Sequence, residues 1–168
     1  PFFQNGFIWD DDKYLTDNPY LNNLDGLKQI WFDFRAMPQY YPLVFTSFWV
    51  ENQIWGLNPF GYHVDNVIIH CLNAIILWRI LTFLNIKGSW LAAAIFLIHP
   101  IQVESVAWVT ERKNLLSGFF YLLSLYFFLR FYNPSLSAQE NQNIKNSWAL
   151  YGFSIFFFIC ALWSKTVA

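Results

Sequence analysis

The stretch HVDNVIIHCLNAIILWRILTFL, residues 63–84, decides the fold. A bilayer-spanning helix needs about 20 mostly apolar residues, and this run has that length and character. Its polar residues are not scattered. His63, Asn66, His70 and Asn73 follow at intervals of three, four and three, which places them on one helical face. Asp65 stands beside them near one end. Polar groups inside a membrane are costly and turn toward a bundle interior or a wet cavity. Two readings fit the stripe: hydrogen-bonding glue between helices, or the lining of a site.

Working outward, three more segments approach spanning length: 90–109, interrupted by His99-Pro100, then 114–132 and 148–167. Short polar turns join the first three, and the polar stretch 133–147 reads as a loop. Before the stripe, residues 9–62 form a long outer loop. Its first part is acidic and Asn-rich. Its later part, Pro42–Trp55, mixes Phe and Trp with Thr46, Ser47, Glu51 and Asn52. Proline at the start and Gly56 past the end punctuate a helix, expected to be amphipathic and to lie at the membrane interface. Residues 1–8 read as the end of a preceding span, so the chain is expected to be part of a longer protein. The predicted fold is all-α and polytopic, with about four full transmembrane helices.

Composition agrees. The 168 residues are 56% hydrophobic, 22% aromatic and 12% charged. Soluble domains carry about 25% charged residues. Net charge is −1, which argues against nucleic acid as a partner. Cys71 and Cys160 both lie in apolar runs and read as buried thiols. Four spans put 1–62, 110–113 and 164–168 on one side of the bilayer. Ten of the eleven acidic residues then belong to that side or the adjoining helix halves, Glu140 being the exception. Lys and Arg counts do not settle which side is outside: Lys87, Arg130 and Lys145 oppose Lys13, Lys28, Arg35, Arg112, Lys113 and Lys165.

Chemistry-bearing residues cluster on the acidic side. Trp9-Asp10-Asp11-Asp12 sits where apolar sequence meets water. Three adjacent carboxylates repel, which raises at least one pKa. Such a carboxylate suits a general base for a hydroxyl acceptor; a divalent metal on Asp10 and Asp11, or a solvated loop or helix cap, are the alternatives. In His99-Pro100-Ile101-Gln102-Val103-Glu104 the proline breaks the helix. Glu104 follows one turn on, with Glu111 two turns later on nearly the same face. Arg112 and Lys113 in the next turn offer Glu104 a structural ion pair, or hold an anionic group such as a phosphate. Lys165 reads as a snorkelling residue. Together these suit an enzyme with a lipid-phosphate donor and an acceptor from the aqueous side.

Several ordered motifs resemble one family over essentially the whole chain. They are Asn5-Gly6-Phe7-Ile8-Trp9-Asp10-Asp11, Tyr41-Pro42-Leu43, and Trp55-Gly56-Leu57-Asn58-Pro59-Phe60-Gly61-Tyr62-His63 with Asn66 and His70. His99-Pro100 with Glu104-Ser105-Val106-Ala107-Trp108 and Glu111-Arg112-Lys113 completes the set. The chain resembles the N-terminal membrane region of bacterial relatives of the transmembrane and tetratricopeptide-repeat protein O-mannosyltransferases, in the GT-C superfamily. The resemblance implies a truncated GT-C helical bundle, its later spans and helix-turn-helix repeats of about 34 residues lying outside these 168. It implies a multi-pass protein of a bacterial inner membrane or the endoplasmic reticulum, with the acidic side periplasmic or luminal. The implied reaction is sugar transfer, with mannose as the sugar, from a polyprenyl (dolichyl) phosphate to Ser or Thr of an exported protein. The implied roles are Asp10 and Asp11 as the catalytic acids, Asp10 favoured as base, and Arg112, Lys113, Glu104 and His99 at the lipid phosphate. His63, Asn66 and His70 form the polar bundle face. No cofactor is required by this reading, and a metal is possible at Asp10 and Asp11 but not expected. Gln102 departs from the family, where many relatives carry His. A membrane-anchored repeat scaffold without catalysis, or a lipid-linked sugar transporter, are the competing functions. The near absence of acids in the other halves of the spans argues against transport.

Overall fold

A computed structural model describes residues 6–132 and 148–166. The loop expected at 133–147 and the extreme ends of the chain lie outside the described residues. Among the described residues seven α-helices carry the fold: α1 Leu24–Phe32, α2 Pro42–Trp55, α3 Pro59–Phe83, α4 Ser89–Ile98, α5 Val103–Ala107, α6 Arg112–Tyr132 and α7 Trp148–Ser164. Among the described residues there are no strands.

Local chemistry sets the boundaries. Pro42 opens α2, and Gly56, at φ +57°, ends it in a conformation only glycine adopts cheaply. Asn58 then caps α3, its side chain accepting the Phe60 N–H at 3.1 Å, with Pro59 at the first helical position. His99 precedes a proline and is pushed to extended backbone, φ −66° and ψ 130°. The chain bends by 49° between α4 and the turn leading into α5.

Helices α3 and 109–132 are long and apolar enough to cross a membrane, and the bent α4–α5 pair makes a third candidate if it is one span. The fourth expected span, α7, has 17 residues and is shorter than that requirement. Large apolar side chains such as Ile75, Ile95 and Phe156 are more than half exposed on these helices. That outward greasiness suits lipid rather than water. Helices α6 and α7 pack antiparallel through stacked Phe127 and Phe157, and Ser124 Oγ donates to the Ser154 carbonyl at 2.8 Å.

The stretch before α3 is packed into a core of its own. Val44, Phe45 and Phe48 of α2 are fully buried in a core shared with Tyr14, Leu15, Leu21, Ile30 and Val109. The polar residues that suggested a wet face are spent inside the chain. Thr46 Oγ1 accepts from Trp31 Nε1 at 3.0 Å, and Asn52 and Gln53 donate to the Leu21 carbonyl. Residues 12–55 thus form a packed cap on one end of the bundle, tied to α7 by the edge-on pair Trp31–Trp163. Gly26 permits its tightest contact. A Cβ there would lie 2.0 Å from the Tyr20 carbonyl oxygen, a backbone atom that cannot swing aside. Gly26→Ala is expected to cost about 1–3 kcal/mol, read as a lowered melting temperature of the detergent-solubilised protein.

Candidate functional site

The polar stripe of α3 is buried along its length: His63, Asn66, His70 and Asn73 are each at most 5% exposed. Most of it holds neighbouring backbone. Asn66 Nδ2 donates to the carbonyls of Val106 and Trp108 at 3.3 and 3.2 Å. Asn73 Nδ2 donates to the Leu115 carbonyl, and His70 Nε2 donates to that of Leu97, each at 3.0 Å. The bonds to Leu97, Val106 and Trp108 catch carbonyls where the helical ladder is interrupted on either side of Pro100.

A second interruption, at Trp108 (φ −94°, ψ 121°), separates α5 from α6. It corrects the expectation that Glu104 and Glu111 share a helical face, because the periodicity does not run through Trp108. Glu104 is exposed, and the carboxylate paired with Arg112 belongs to neither of them.

That partner is Glu51 of α2. Arg112 is 0% exposed and the largest fully buried side chain. Its Nη1 donates to Glu51 Oε1, its Nε to Asn66 Oδ1 at 2.8 Å and its Nη2 to the Tyr62 carbonyl at 2.9 Å. The guanidinium lies 4.8 Å from the Phe48 ring centroid. So Arg112, expected to meet a lipid phosphate, is enclosed and holds the chain's own groups. Burial pushes the Glu51 carboxyl up to about 8, with the Asp65 carboxyl adding to the rise and Arg112 opposing it.

The acidic triplet is divided. Asp11 is 1% exposed, whereas Asp10 and Asp12 face outward. Asp11 Oδ2 accepts the Ile8 N–H and Oδ1 the Thr110 N–H, each at 3.0 Å. Burial raises its pKa, and those two N–H donors and the His63 charge offset part of the rise. Among the described residues no three His, Cys, Asp or Glu side chains are grouped to hold a metal.

Asp10 sits beside a second cluster. The Tyr14 phenol is pushed up to about 12 by burial, then by Tyr41, Asp10 and Glu111. Lys113 Nζ stands 6.0 Å from the Tyr14 ring centroid and pairs with Glu111 at 2.8 Å. Glu111 also accepts from Asn114 Nδ2, and Lys165 Nζ donates to Asn114 Oδ1 at 2.5 Å. The structure therefore gathers Asp10, Tyr14, Glu111, Lys113, Asn114 and Lys165 at one end of the bundle. Lys165, read as a snorkelling residue, is part of this network. His99 lies apart, exposed, its Nδ1 accepting the Ile101 N–H at 3.2 Å. With His70 and Gln102 it supplies the polar atoms of a mainly apolar groove of about 550 Å³ along α3, α4 and α5, lined also by Val67, Leu97 and Val103.

Three comparisons bear on identity. No family model and no solved structure matches the chain. Curated proteins do. The chain is 32% identical over 142 residues, 79% of its length, to the protein O-mannosyl-transferase TMTC3 of Homo sapiens, covering 16% of that protein. It is 31% identical over 135 residues, 71% of its length, to a protein O-mannosyl-transferase of Caenorhabditis elegans, covering 19% of it. With human TMTC4 the match is 27% over 188 positions, 97% of the chain and 25% of the relative. The chain thus spans no more than a quarter of the length of these relatives. Over most of its length, it belongs to the TMTC family of protein O-mannosyl-transferases.

Proposed function

We propose that this chain carries the catalytic end of a GT-C type glycosyltransferase that moves mannose from a polyprenyl phosphate to Ser or Thr hydroxyls of exported proteins. The carrying observation is the division of the acids: Asp11 is locked inward by two N–H donors, and Asp10 next to it faces out near Tyr14, whose ring Lys113 approaches from α6. Asp10 takes the proton of the acceptor hydroxyl as its oxygen attacks the anomeric carbon. The bond from that carbon to the phosphate oxygen breaks with inversion, and the phosphate leaves with the electron pair.

The leaving phosphate needs cationic partners. Arg112 is enclosed, so the reading assigns this work to Lys113 and adds Lys165, the two cations bridged by Glu111 and Asn114. The apolar groove with His70 and His99 at its polar spots suits an isoprenoid tail. Glu104, exposed on α5, is assigned to sugar hydroxyls. The acidic end is then the periplasmic or luminal face of a multi-pass protein.

The test is transfer by the full-length protein in nanodiscs from polyprenyl-phosphate mannose to a Ser/Thr peptide, against the Asp10→Asn variant. Transfer by wild type and not by the variant supports the reading. Absence of transfer by the wild type from that donor, or equal transfer by both, overturns it; the latter is what a scaffold predicts. Lys113→Ala and Lys165→Ala are each expected to raise the donor KM about 10-fold, the loss of one charge-assisted hydrogen bond of roughly 1.5 kcal/mol. An unchanged KM in both removes them from the phosphate site.

A further inference from the structure

We infer that Glu51 is a positioning residue for the outer acids, acting through Arg112 on residues 106–112. The inference rests on the proposed role of Asp10 and deepens it.

The connection is continuous. Glu51 stands on α2 in the cap, and its side chain is 9% exposed, so neither donor nor acceptor reaches it in this arrangement. It ion-pairs with Arg112, 61 residues away in sequence. Arg112 opens α6, and its Nε fixes the Asn66 side chain by bonding Oδ1. That orientation turns Asn66 Nδ2 toward the Val106 and Trp108 carbonyls. Both ends of the 106–112 segment are thereby anchored while its middle leaves helical geometry at Trp108. The Thr110 N–H, in the short turn after that break, points to Asp11 Oδ1. Asp11, held also by the Ile8 N–H, fixes the backbone that presents Asp10.

Stability alone explains such a pair poorly. Burying two charges costs more than most ion pairs return, and apolar replacements of similar volume are often neutral or better. What an apolar pair cannot do is orient Asn66. Phe48 beneath the guanidinium and Tyr62, whose carbonyl accepts from Nη2, hold the guanidinium on its remaining sides. A misplacement of about 1 Å at a reacting group can cost on the order of 100-fold in rate. The effect of loosening Glu51 should therefore appear in turnover and not in donor binding.

The experiment uses the full-length protein in nanodiscs with polyprenyl-phosphate mannose and a Ser/Thr peptide. At pH 9, above the value of about 8 to which burial raises the Glu51 carboxyl, Glu51→Gln keeps the shape and removes the charge. It should lower kcat about 10- to 100-fold with the donor KM unchanged. Amide exchange should lose protection in the peptide covering 106–112 while α3 and the rest of α6 keep theirs. Glu51→Asp should recover part of kcat. Wild-type kcat in Glu51→Gln, lowered kcat with 106–112 still protected, or a KM that rises in step with the fall in kcat overturns the inference. Should Glu51→Gln unfold the whole bundle, Glu51→Asp decides: reduced kcat in a folded protein supports the role, and wild-type kcat overturns it. Asp10→Asn run alongside separates the two failures. Full activity there removes the base assignment, whereas an inactive Asp10→Asn beside a fully active Glu51→Gln removes only the positioning role.

Discussion

Replacing Asp10 with Asn should lower kcat about 10²–10⁴-fold, the range a positioned general base contributes, while leaving the melting temperature unchanged. Asn matches Asp in size but has no basicity near neutral pH. Asp10 faces outward, so its loss leaves no buried group without a partner. Asp11→Asn should behave differently. Both Asp11 oxygens accept backbone N–H groups, and the amide that replaces one of them would set donor against donor. A buried donor left unsatisfied costs about 1–3 kcal/mol. Activity and melting temperature should therefore fall together in Asp11→Asn and separately in Asp10→Asn. Initial rates of mannosyl transfer and thermal unfolding of the two variants measure the contrast. An Asp10→Asn enzyme with normal turnover, beside a stable but inactive Asp11→Asn enzyme, would reverse the two roles.

Some of this was legible in the residues. The three-four-three spacing of His63, Asn66, His70 and Asn73 marks a buried face because helical geometry alone dictates it, and that face is buried. The break at His99-Pro100 follows from proline's effect on its predecessor. The second break at Trp108 has no proline or glycine to announce it. It is held by Asn66 from another helix, a tertiary bond that periodicity cannot reveal. The burial of α2 was hidden for a similar reason. Thr46, Glu51 and Asn52 look like a wet face until their partners Trp31, Arg112 and Leu21 are known. Asp11 and Thr110 meet across 99 residues of sequence, so nothing local separates the inward acid from the outward one. Arg112 shows the limit of reasoning from charge. A basic turn beside a membrane surface suits a phosphate, and only the packing reveals that a carboxylate from the cap has already taken this guanidinium.

Arg112→Met is the largest stability change expected in the chain, about 3–5 kcal/mol, because it strands the carboxyl of Glu51 in the interior. The loss should depend on pH, and its sign can be worked out from the groups around that carboxyl. Glu51 faces Arg112 from α6, and Asp65 and Tyr62 from α3. Burial raises its pKa to about 8 even with Arg112 opposing the rise. A group raised in the folded state favours folding at low pH, and that contribution disappears as pH climbs from the ordinary Glu value of about 4.3 through the folded one. Removing Arg112 takes away the opposing charge and lifts the folded value further. At pH 5, Glu51 carries its proton in both proteins, and the variant loses mainly the bonds to Asn66 and the Tyr62 carbonyl. At pH 9, wild-type Glu51 is ionised against Arg112, whereas the variant must either bury that charge alone or hold a proton against the solvent. The gap in melting temperature between wild type and Arg112→Met should therefore widen from pH 5 to pH 9. Adding Glu51→Leu should close the pH-dependent part and leave the constant part, since an apolar pair has nothing to titrate. A gap of equal size at both pH values would mean that the Glu51 charge is not what Arg112 balances, and that Arg112 holds this end of the bundle through Asn66 and Tyr62 alone.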